Sequence, residues 1–337
     1  GIKETILDMK TLLLGEDPTD IGRLNFKINR AMRTSLGGLA THAWAAIDIA
    51  LWDITGKSVG RPIYKLLGGK HRDKIRMYCD CGLGEGDLYA PEAFAEKARK
   101  RKNLGFTALK FDIHHPHHEF KTGFNTISSE DLELMRRCVS AIRDELGDDV
   151  DLALDCHWRY SVKDAVRLAQ ALEEFDLLWL EDPVFAFGQE GVEALAMVSA
   201  STRTPICAGE NMYTTYDFLE MIQKRAIRVV SPDVCKIGIT EGIKVADIAC
   251  IYNLLVAPHN TNSPLGTIAA CHLCAAIPNF LLLEFHYQDS PEWGTIIGEK
   301  HVIKDGYIEV PDKPGLGVEL DEEAVNKYLL PGEDLFE

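Results

Sequence analysis

The sequence of 337 residues has no long hydrophobic run and no excess of basic charge. No uninterrupted apolar stretch approaches the roughly 20 residues that a membrane-spanning helix requires. Acidic residues outnumber basic ones by 52 to 36, which gives a net charge of −16, whereas nucleic acids are bound by basic surfaces. We therefore expect neither a membrane nor a nucleic acid as a partner.

The chain also lacks an initiating methionine, a secretory signal pattern and an even set of cysteines. It begins at Gly1, which indicates part of a longer gene product. Several of its nine cysteines lie within apolar runs, such as Cys207, as buried reduced thiols do, and a cytoplasmic protein is expected. Cys271 and Cys274 have CxxC spacing, but no second pair accompanies them, which favours a structural role over a zinc or redox site.

The first seventy residues are predicted to be largely helical. Between residues 40 and 57, the residues Trp44, Ile47, Leu51 and Ile54 recur every three or four positions and form one apolar face. From about residue 74, eight short apolar runs alternate with amphipathic segments such as 131–146, 162–175 and 214–225. The runs are 75–78, 108–111, 152–154, 177–180, 206–208, 229–231, 254–257 and 280–283.

Apolar strands joined by helices predict a parallel sheet that is buried on both faces. Eight such units are typical of a (β/α)8-type barrel. A doubly wound open sheet is the alternative, but no GxGxxG motif follows the first strand. Residues 304–310 are predicted to form a strand, and the tail after it is expected to return to the N-terminal helices.

Ionisable side chains stand at the ends of the predicted strands, where a parallel barrel has its active site. Every strand from the second to the eighth ends beside at least one of them: Lys110 and Asp112, Asp155 and His157, Glu181 and Asp182, Glu210, Asp233, His259, and Glu284. Chance places one such residue at a strand end easily, but not at seven strands in succession. We therefore predict an active site here.

The carboxylates of Asp155, Glu181 and Glu210 come from three consecutive strands and are expected to converge. Three converging carboxylates repel one another unless a cation lies among them, and oxygen ligands favour Mg²⁺ over Zn²⁺. The alternative is that each acid caps the helix after its strand. Taken as a set, the three acids predict a magnesium site.

The remaining side chains predict proton transfer next to a carboxylate. Lys110 and His259 are expected on opposite sides of the cation, with the α-carbon of a bound carboxylate between them. The metal would stabilise the enediolate that forms when the α-proton leaves. Asp233 is placed to raise the basicity of His259, and alternation along the strand turns His157 towards the same site.

The ordered set of motifs resembles the enolase superfamily, and within it the mandelate racemase group. The motifs cover nearly the whole chain: Leu109-Lys110, Leu154-Asp155-Cys156-His157, Trp179-Leu180-Glu181-Asp182-Pro183, Ala208-Gly209-Glu210, Ser231-Pro232-Asp233, Ala257-Pro258-His259, Pro314-Gly315-Leu316-Gly317 and the helical segment from Ala45 to Asp53. The resemblance implies a modified (β/α)7β TIM-type barrel with an α+β capping domain. The first strands of that cap are not recognisable in this chain.

The expected division is a partial capping domain at residues 1–72, the barrel with its active site at 73–300, and a segment returning to the cap at 301–337. The resemblance also implies a homo-oligomer, Mg²⁺ held by the three acids, and a His-Asp dyad of His259 and Asp233. Lys110 matches the first lysine of the group's Lys-x-Lys motif, but Asp112 stands in place of the second, the usual second base of racemases.

The Asp-x-His sequence on the third strand resembles the sugar-acid dehydratases of the group. We therefore expect a dehydratase of an aldonate or aldarate, with His259 as the base and His157 as the acid. Lys110 and Glu284 are expected to contact the substrate carboxylate or the enediolate. Further substrate contacts are expected from Asp112, Arg159, Asn211 and Asn260, although Asp112 could instead pair with Lys110.

Two alternatives to a dehydratase remain open from the sequence. The first is a racemase or epimerase on the same scaffold, with Lys110 acting alone on its face. The second is a barrel that binds ligands without catalysis. The histidine-rich loop at 114–118 is interpreted as an insertion over the site, with nickel or zinc binding as a lesser possibility.

Overall fold

The computed structural model describes residues 1–84, 89–113, 126–286, 293–298, 302–329 and 332, so the loop at 114–118 lies outside the described residues. The N-terminal part consists of four helices: α1 Ile2–Leu13, α2 Ile21–Ala31, α3 Gly38–Ser58 and α4 Ile63–Leu66. Among the described residues, no helix has both the length and the apolar character needed to cross a membrane.

The first three helices pack around a small apolar core of their own. Met9 of α1, Leu24 and Ile28 of α2, and Trp44 and Leu51 of α3 are buried together. The predicted apolar face of α3 is thus partly confirmed. Its last member is the exception, since Ile54 is 45% exposed.

In the described part of the chain after residue 73, eight parallel strands alternate with helices. In chain order the elements are β1 Lys74–Asp80, α5 Pro91–Asn103, β2 Ala108–Asp112, α6 Ser129–Leu146, β3 Asp151–Asp155, α7 Val162–Ala171, β4 Trp179–Glu181, α8 Gly188–Ala200, β5 Ile206–Ala208, α9 Thr215–Gln223, β6 Val229–Val230, α10 Val234–Ile251, β7 Leu255–Val256, α11 Pro264–Ala276 and β8 Leu283–His286. Consecutive strands pair from β1 to β7, and β8 pairs with β1. A parallel bridge between Val256 and Phe280 joins the chain before β8 to β7 and closes the barrel.

Seven strand–helix units followed by a last strand form the predicted (β/α)7β barrel, and the open-sheet alternative was wrong. Cys271 and Cys274 are both buried in α11. The predicted last strand began too early, because Phe280 contacts β7 before the chain turns to join β1 at residue 283.

The predicted single strand at 304–310 was also wrong, because it is a hairpin of β9 Ile303–Lys304 and β10 Tyr307–Glu309. Asp305 and Gly306 form its two-residue turn with φ of 51° and 72°. An Asp-Gly pair with positive φ at both positions is a favoured hairpin turn. β10 pairs antiparallel with β1, outside the barrel.

The tail returns to the N-terminal helices as expected. The backbone N–H of Ile63 donates to the Gly315 carbonyl at 3.0 Å, and the N–H of Leu316 donates to Oδ1 of Asp53 at 2.7 Å. A Cβ at Gly56 would lie 2.7 Å from the Cα of Gly315, so the two chain segments touch backbone to backbone. A short helix, α12 Glu322–Asn326, follows. The domain boundaries at 72 and 300 stay a prediction.

The barrel interior is built in layers. One residue from each strand, or from its immediate flank, forms a buried ring: Tyr78, Ala108, Ala153, Trp179, Cys207, Val229, Ala257 and Leu282. Side chains alternate along a strand, so the residue two positions later faces the same interior one layer higher. That next layer is Asp80, Lys110, Asp155, Glu181, Gly209, Ser231, His259 and Glu284. An apolar floor therefore lies beneath a mostly ionisable layer at the C-terminal ends of the strands.

Candidate active site

A small polar cavity lies above this ionisable layer. It has a volume of about 150 Å³ and is lined by Asp80, Gly82, Lys110, Asp112, Asp155, His157, Glu210, His259, Thr261, Glu284 and His286. Three of these side chains, Asp80, Thr261 and His286, were not among the predicted site residues. The signal for Asp80 was its position two residues after the buried Tyr78, but the first strand was predicted to end too early.

The three predicted metal ligands converge. Ligand oxygens of Asp155, Glu181 and Glu210 all lie within 4.8 Å of one another. The Glu181 carboxylate is fixed from below, because the indole N–H of Trp179 donates to its Oε2 at 2.8 Å. Gly209 brings Glu210 into the site with φ of 134°, and a Cβ there would lie 2.7 Å from the ring of Phe218. Only glycine is accommodated at such a position.

Lys110 is the buried cation of the site. Its ammonium lies 2.8 Å from Oε1 of Glu284, 3.0 Å from Oδ2 of Asp155, 3.2 Å from Oε1 of Glu181 and 3.8 Å from Oδ2 of Asp80. Burial would lower its pKa, but Glu181 and Glu284 outweigh this effect and hold the pKa well above its ordinary value. The sequence left two roles open for Asp112, a bond to a substrate hydroxyl or an ion pair with Lys110. Asp112 is not among the carboxylates that contact the Lys110 ammonium.

One lysine does not balance this number of acids. Burial raises the pKa of Glu181 well above its ordinary value despite Lys110, and it raises the pKa of Asp80 to about 7. The site therefore has an excess of buried negative charge that an additional cation would relieve. The converging groups of Asp155, Glu181 and Glu210 are all carboxylates, and such oxygen ligands fit a hard divalent cation such as Mg²⁺.

His259 and Asp233 form a close pair. Nδ1 of His259 lies 2.8 Å from Oδ2 of Asp233, and its Nε2 lies 3.3 Å from Oε2 of Glu210. Burial would lower the pKa of His259, but Glu284 and Asp233 outweigh it and raise the pKa to about 9. The other oxygen of Asp233 accepts from the Cys235 N–H at 2.7 Å and from the Asn262 amide at 3.0 Å.

His157 lines the same cavity from the end of β3. Its Nε2 lies 3.6 Å from Oδ2 of Asp155, and its Nδ1 lies 3.7 Å from Oδ1 of Asp112. The residue has φ of 47°, and Trp158 follows with φ of 57°. Two successive non-glycine residues in the left-handed region are a strained backbone of the kind found at functional sites. The backbone N–H of His157 donates to Oδ1 of Asp155 at 2.9 Å, which supports this turn.

The other predicted substrate-binding residues lie beside the cavity, not in its lining. The Asn211 amide donates to Oε1 of Glu210 at 2.6 Å, and its oxygen accepts from Lys236 at 3.0 Å. Asn260 is buried, and its amide donates to Thr267 at 2.9 Å and to the Glu284 carbonyl at 3.0 Å. Arg159 is half-buried in the turn after β3. For either asparagine to contact a substrate, its side-chain amide would have to break these hydrogen bonds to protein groups.

Comparison with known proteins identifies the family. Residues 93–324 match the model of the enolase C-terminal domain-like family. Residues 1–68 match the N-terminal domain of mandelate racemase and muconate lactonizing enzyme. The chain is 39% identical to the D-xylonate dehydratase of Haloferax volcanii, over 98% of this chain and 80% of the relative. It is 34% identical to the D-galactonate dehydratase of Ralstonia pickettii, over 96% of this chain and 83% of the relative.

Solved structures agree with this. The mandelate racemase/muconate lactonizing enzyme-like protein of Rubrobacter xylanophilus has a TM-score of 0.91 and 39% identity, covering 100% of this chain and 89% of that chain. The match extends over both the helices of the N-terminal part and the barrel that holds the site. The chain therefore belongs to the enolase superfamily, in the mandelate racemase/muconate lactonizing enzyme family.

Proposed function

We propose that the protein is a magnesium-dependent dehydratase of a sugar acid, an aldonate or aldarate. It removes the α-proton to give an enediolate and eliminates the β-hydroxyl, so the product is a 2-keto-3-deoxy acid. One observation carries the proposal: two histidines, His259 and His157, line one cavity together with a converging set of carboxylates. The dehydratase names of the relatives support the same reaction.

In this proposal, Asp155, Glu181 and Glu210 hold the metal. Their oxygens lie within one ligand sphere, and their excess charge is the feature that a divalent cation balances. When bound, Mg²⁺ supplies positive charge to the substrate carboxylate while the α-proton leaves. Lys110 and Glu284 are assigned to contacts with the same carboxylate or with the enediolate. Asp112 is assigned to a substrate hydroxyl, since Lys110 already has four other partners.

His259 is assigned as the base. Because Asp233 engages its Nδ1, the nitrogen that accepts the α-proton is Nε2, which lies 3.3 Å from Glu210 and acts as a base in the neutral form of the imidazole. His157 is assigned as the acid, which protonates the β-hydroxyl as the C–O bond breaks and water leaves. The electron pair of the C–O bond goes to the oxygen, and a double bond forms between the α- and β-carbons. The resulting enol tautomerises to the ketone.

An assay of the purified protein with Mg²⁺ tests this function. The panel contains D-xylonate, D-gluconate, D-galactonate, their stereoisomers and the matching aldarates, and 2-keto-3-deoxy acids are detected as semicarbazones. We expect one or a few acids to give a keto product, and the product to disappear with EDTA and in His259→Asn. Absence of a keto product from every acid, with folded protein that binds Mg²⁺, would reject the dehydratase.

The proposal extends to the partner, the oligomeric state, the compartment and the domain boundaries of the protein. The partner is a small-molecule carboxylate, and the working form is a homo-oligomer. A reducing compartment such as the cytoplasm suits the nine cysteines, since none of them forms a disulfide. The chain divides at residues 72 and 300 into cap, barrel and returning segment.

A further inference from the structure

The ring of His157, the proposed acid, is weakly anchored in the cavity. Its side chain is 40% exposed, and its two nitrogens lie 3.6 Å from Oδ2 of Asp155 and 3.7 Å from Oδ1 of Asp112. Both distances are too long for a hydrogen bond. The place of the imidazole therefore depends on the conformation of the turn that carries it, residues 156–160.

That turn is strained and is attached to the chain that leaves β4. His157 and Trp158 have φ of 47° and 57°, and Asp182, which follows β4, has φ of 41°. Residues other than glycine rarely adopt such angles, so surrounding contacts must hold them there. The Trp158 N–H donates to the Asp182 carbonyl at 2.6 Å, and the Tyr160 N–H donates to the Pro183 carbonyl at 3.2 Å. Backbone hydrogen bonds thus supply part of the support.

Three aromatic side chains join the same two segments. The indole of Trp158 meets the rings of Phe185 and Phe187 edge to face, with centroids 6.3 and 5.9 Å apart, and the two phenylalanine rings lie 4.8 Å from each other. Aromatic pairs at such distances attract each other. Phe185 and Phe187 are nevertheless 53% and 38% exposed, so they contribute little to the core. Their contact with the residue directly after His157 indicates a local role.

The two phenylalanines stand on a firm base. Ala186, between them, is buried, and the backbone of this segment lies against α8 at Gly191. A Cβ at Gly191 would lie 2.8 Å from the carbonyl carbon of Ala186 and 2.9 Å from the carbonyl oxygen of Phe185. Only glycine allows two backbones to approach this closely. The aromatic side chains therefore connect α8 with the turn that carries His157.

We infer that Trp158, held by Phe185 and Phe187 in what we call the aromatic clamp, is the positioning residue for the acid His157. The clamp keeps the left-handed turn in place, so the imidazole stays in the cavity without a hydrogen bond of its own. This inference rests on the proposed dehydratase function and deepens it. Trp158 transfers no proton, so a loosened clamp impairs the acid step while removal of the α-proton continues.

The first test removes the exposed half of the clamp. The double variant Phe185→Ala/Phe187→Ala is incubated with Mg²⁺ and the best aldonate of the panel in D₂O. Keto acid and α-deuterium in the recovered aldonate are both measured. A positioned acid contributes about 10²- to 10⁴-fold, so its partial displacement should lower the ratio of keto acid to deuterium at least about tenfold. An unchanged ratio, including an equal loss of both products, would overturn the inference.

Two further variants test the base of the clamp and its specificity. Gly191→Ala displaces the backbone of residues 185–186 and should lower the same ratio, whereas an unchanged ratio would contradict the inference. Gly22→Ala on α2, where a Cβ meets nothing within 4 Å, is its matched control. Met197→Ala/Tyr216→Ala removes two exposed side chains from α8 and α9 and is the control for the phenylalanine pair. Both controls should keep the ratio of the unmodified protein.

A measurement without turnover separates the inference from the proposed function. Backbone amide hydrogen exchange in the Mg²⁺-loaded protein reports opening of the turn, because the Trp158 N–H is bonded to the Asp182 carbonyl. Exchange at Trp158 should be at least about tenfold faster in Phe185→Ala/Phe187→Ala than in the unmodified protein, and equal rates would overturn the inference. If the unmodified protein makes no keto acid, the proposed function fails, but the exchange rates still decide whether the clamp holds the turn.

Discussion

Asp233 holds His259 with one oxygen and the start of a helix with the other. Its Oδ2 lies 2.8 Å from Nδ1 of His259, while its Oδ1 accepts from the Cys235 N–H in the first turn of α10. The Asn262 amide also donates to Oδ1, at 3.0 Å. Because helix capping fixes the carboxylate, the imidazole that it orients is fixed as well. The imidazole is thus tied to a rigid element of the barrel, as a precise proton acceptor requires.

Asp233→Asn should separate catalysis from stability. Asparagine also caps helices well, so the loss of the helix cap itself should change the free energy of unfolding by less than about 1 kcal/mol. Its amide would donate to Nδ1 of His259, which would leave the proton on Nε2 and prevent that nitrogen from acting as a base. We predict a fall in kcat of about 10²- to 10⁴-fold. Asp321→Asn makes the same change at the cap of α12 and should alter neither quantity.

Glu181→Gln should uncouple metal binding from folding. Burial raises the pKa of Glu181 even with Lys110 beside it, so its charge is unfavourable without a further cation, and a neutral amide oxygen can still accept from Trp179. Without metal, we expect the variant to lie within about 1 kcal/mol of the unmodified protein in unfolding free energy. At 100 times its Kd, Mg²⁺ should stabilise the unmodified protein by about 2.7 kcal/mol and the variant hardly at all.

Urea unfolding with and without Mg²⁺ measures both quantities. Glu190→Gln on the exposed face of α8 is the control and should keep the full metal response. A metal response in Glu181→Gln equal to that of the unmodified protein would contradict the assignment of this residue as a ligand.

Asp48 makes stability depend on pH at the contact between α3 and α10. Its carboxylate accepts from the backbone N–H of Thr240 at 3.0 Å, two residues after Gly238, where α10 is kinked. Burial raises the pKa of Asp48 from 3.8 to about 6. The stability that this group contributes is therefore complete below pH 4 and is lost as the pH rises through 6.

Asp48→Asn removes this dependence. Relative to the unmodified protein, we expect the variant to gain about 3 kcal/mol in unfolding free energy between pH 4 and pH 7, from a difference of about two in pKa. Urea titrations at a series of pH values measure the gap. The surface variant Asp247→Asn should show no such trend. A gap that stays constant with pH would mean that Asp48 does not titrate in this range.

The barrel and most of its polar layer could be predicted from the sequence. The buried parallel strands are apolar throughout, and their ends are marked by charged residues such as Asp155 and Glu181. The predicted start of the last strand was too early because an apolar run does not show where pairing changes partner. Asp80 was missed for a related reason, since β1 continues two residues past Tyr78, where the strand was predicted to end.

Contacts of polar amides are harder to predict than strand ends. Asn211 and Asn260 follow Glu210 and His259 in sequence, and an amide there can turn to the substrate or to the protein. In the structure both turn to protein groups, and Asn260 has its backbone N–H on Oε2 of Glu284 at 2.8 Å. Sequence position fixes neither the rotamer nor the partner, because both depend on packing across the barrel.

The most direct test of the account is solvent exchange at the α-carbon. The best aldonate of the panel is incubated in D₂O with Mg²⁺ and either His157→Asn or His259→Asn. The two-histidine mechanism predicts that His157→Asn forms no keto acid but still incorporates deuterium at the α-carbon, because the base remains. His259→Asn should do neither. Deuterium incorporation in His259→Asn, or unimpaired keto acid formation in His157→Asn, would contradict the assignment of the two histidines as base and acid.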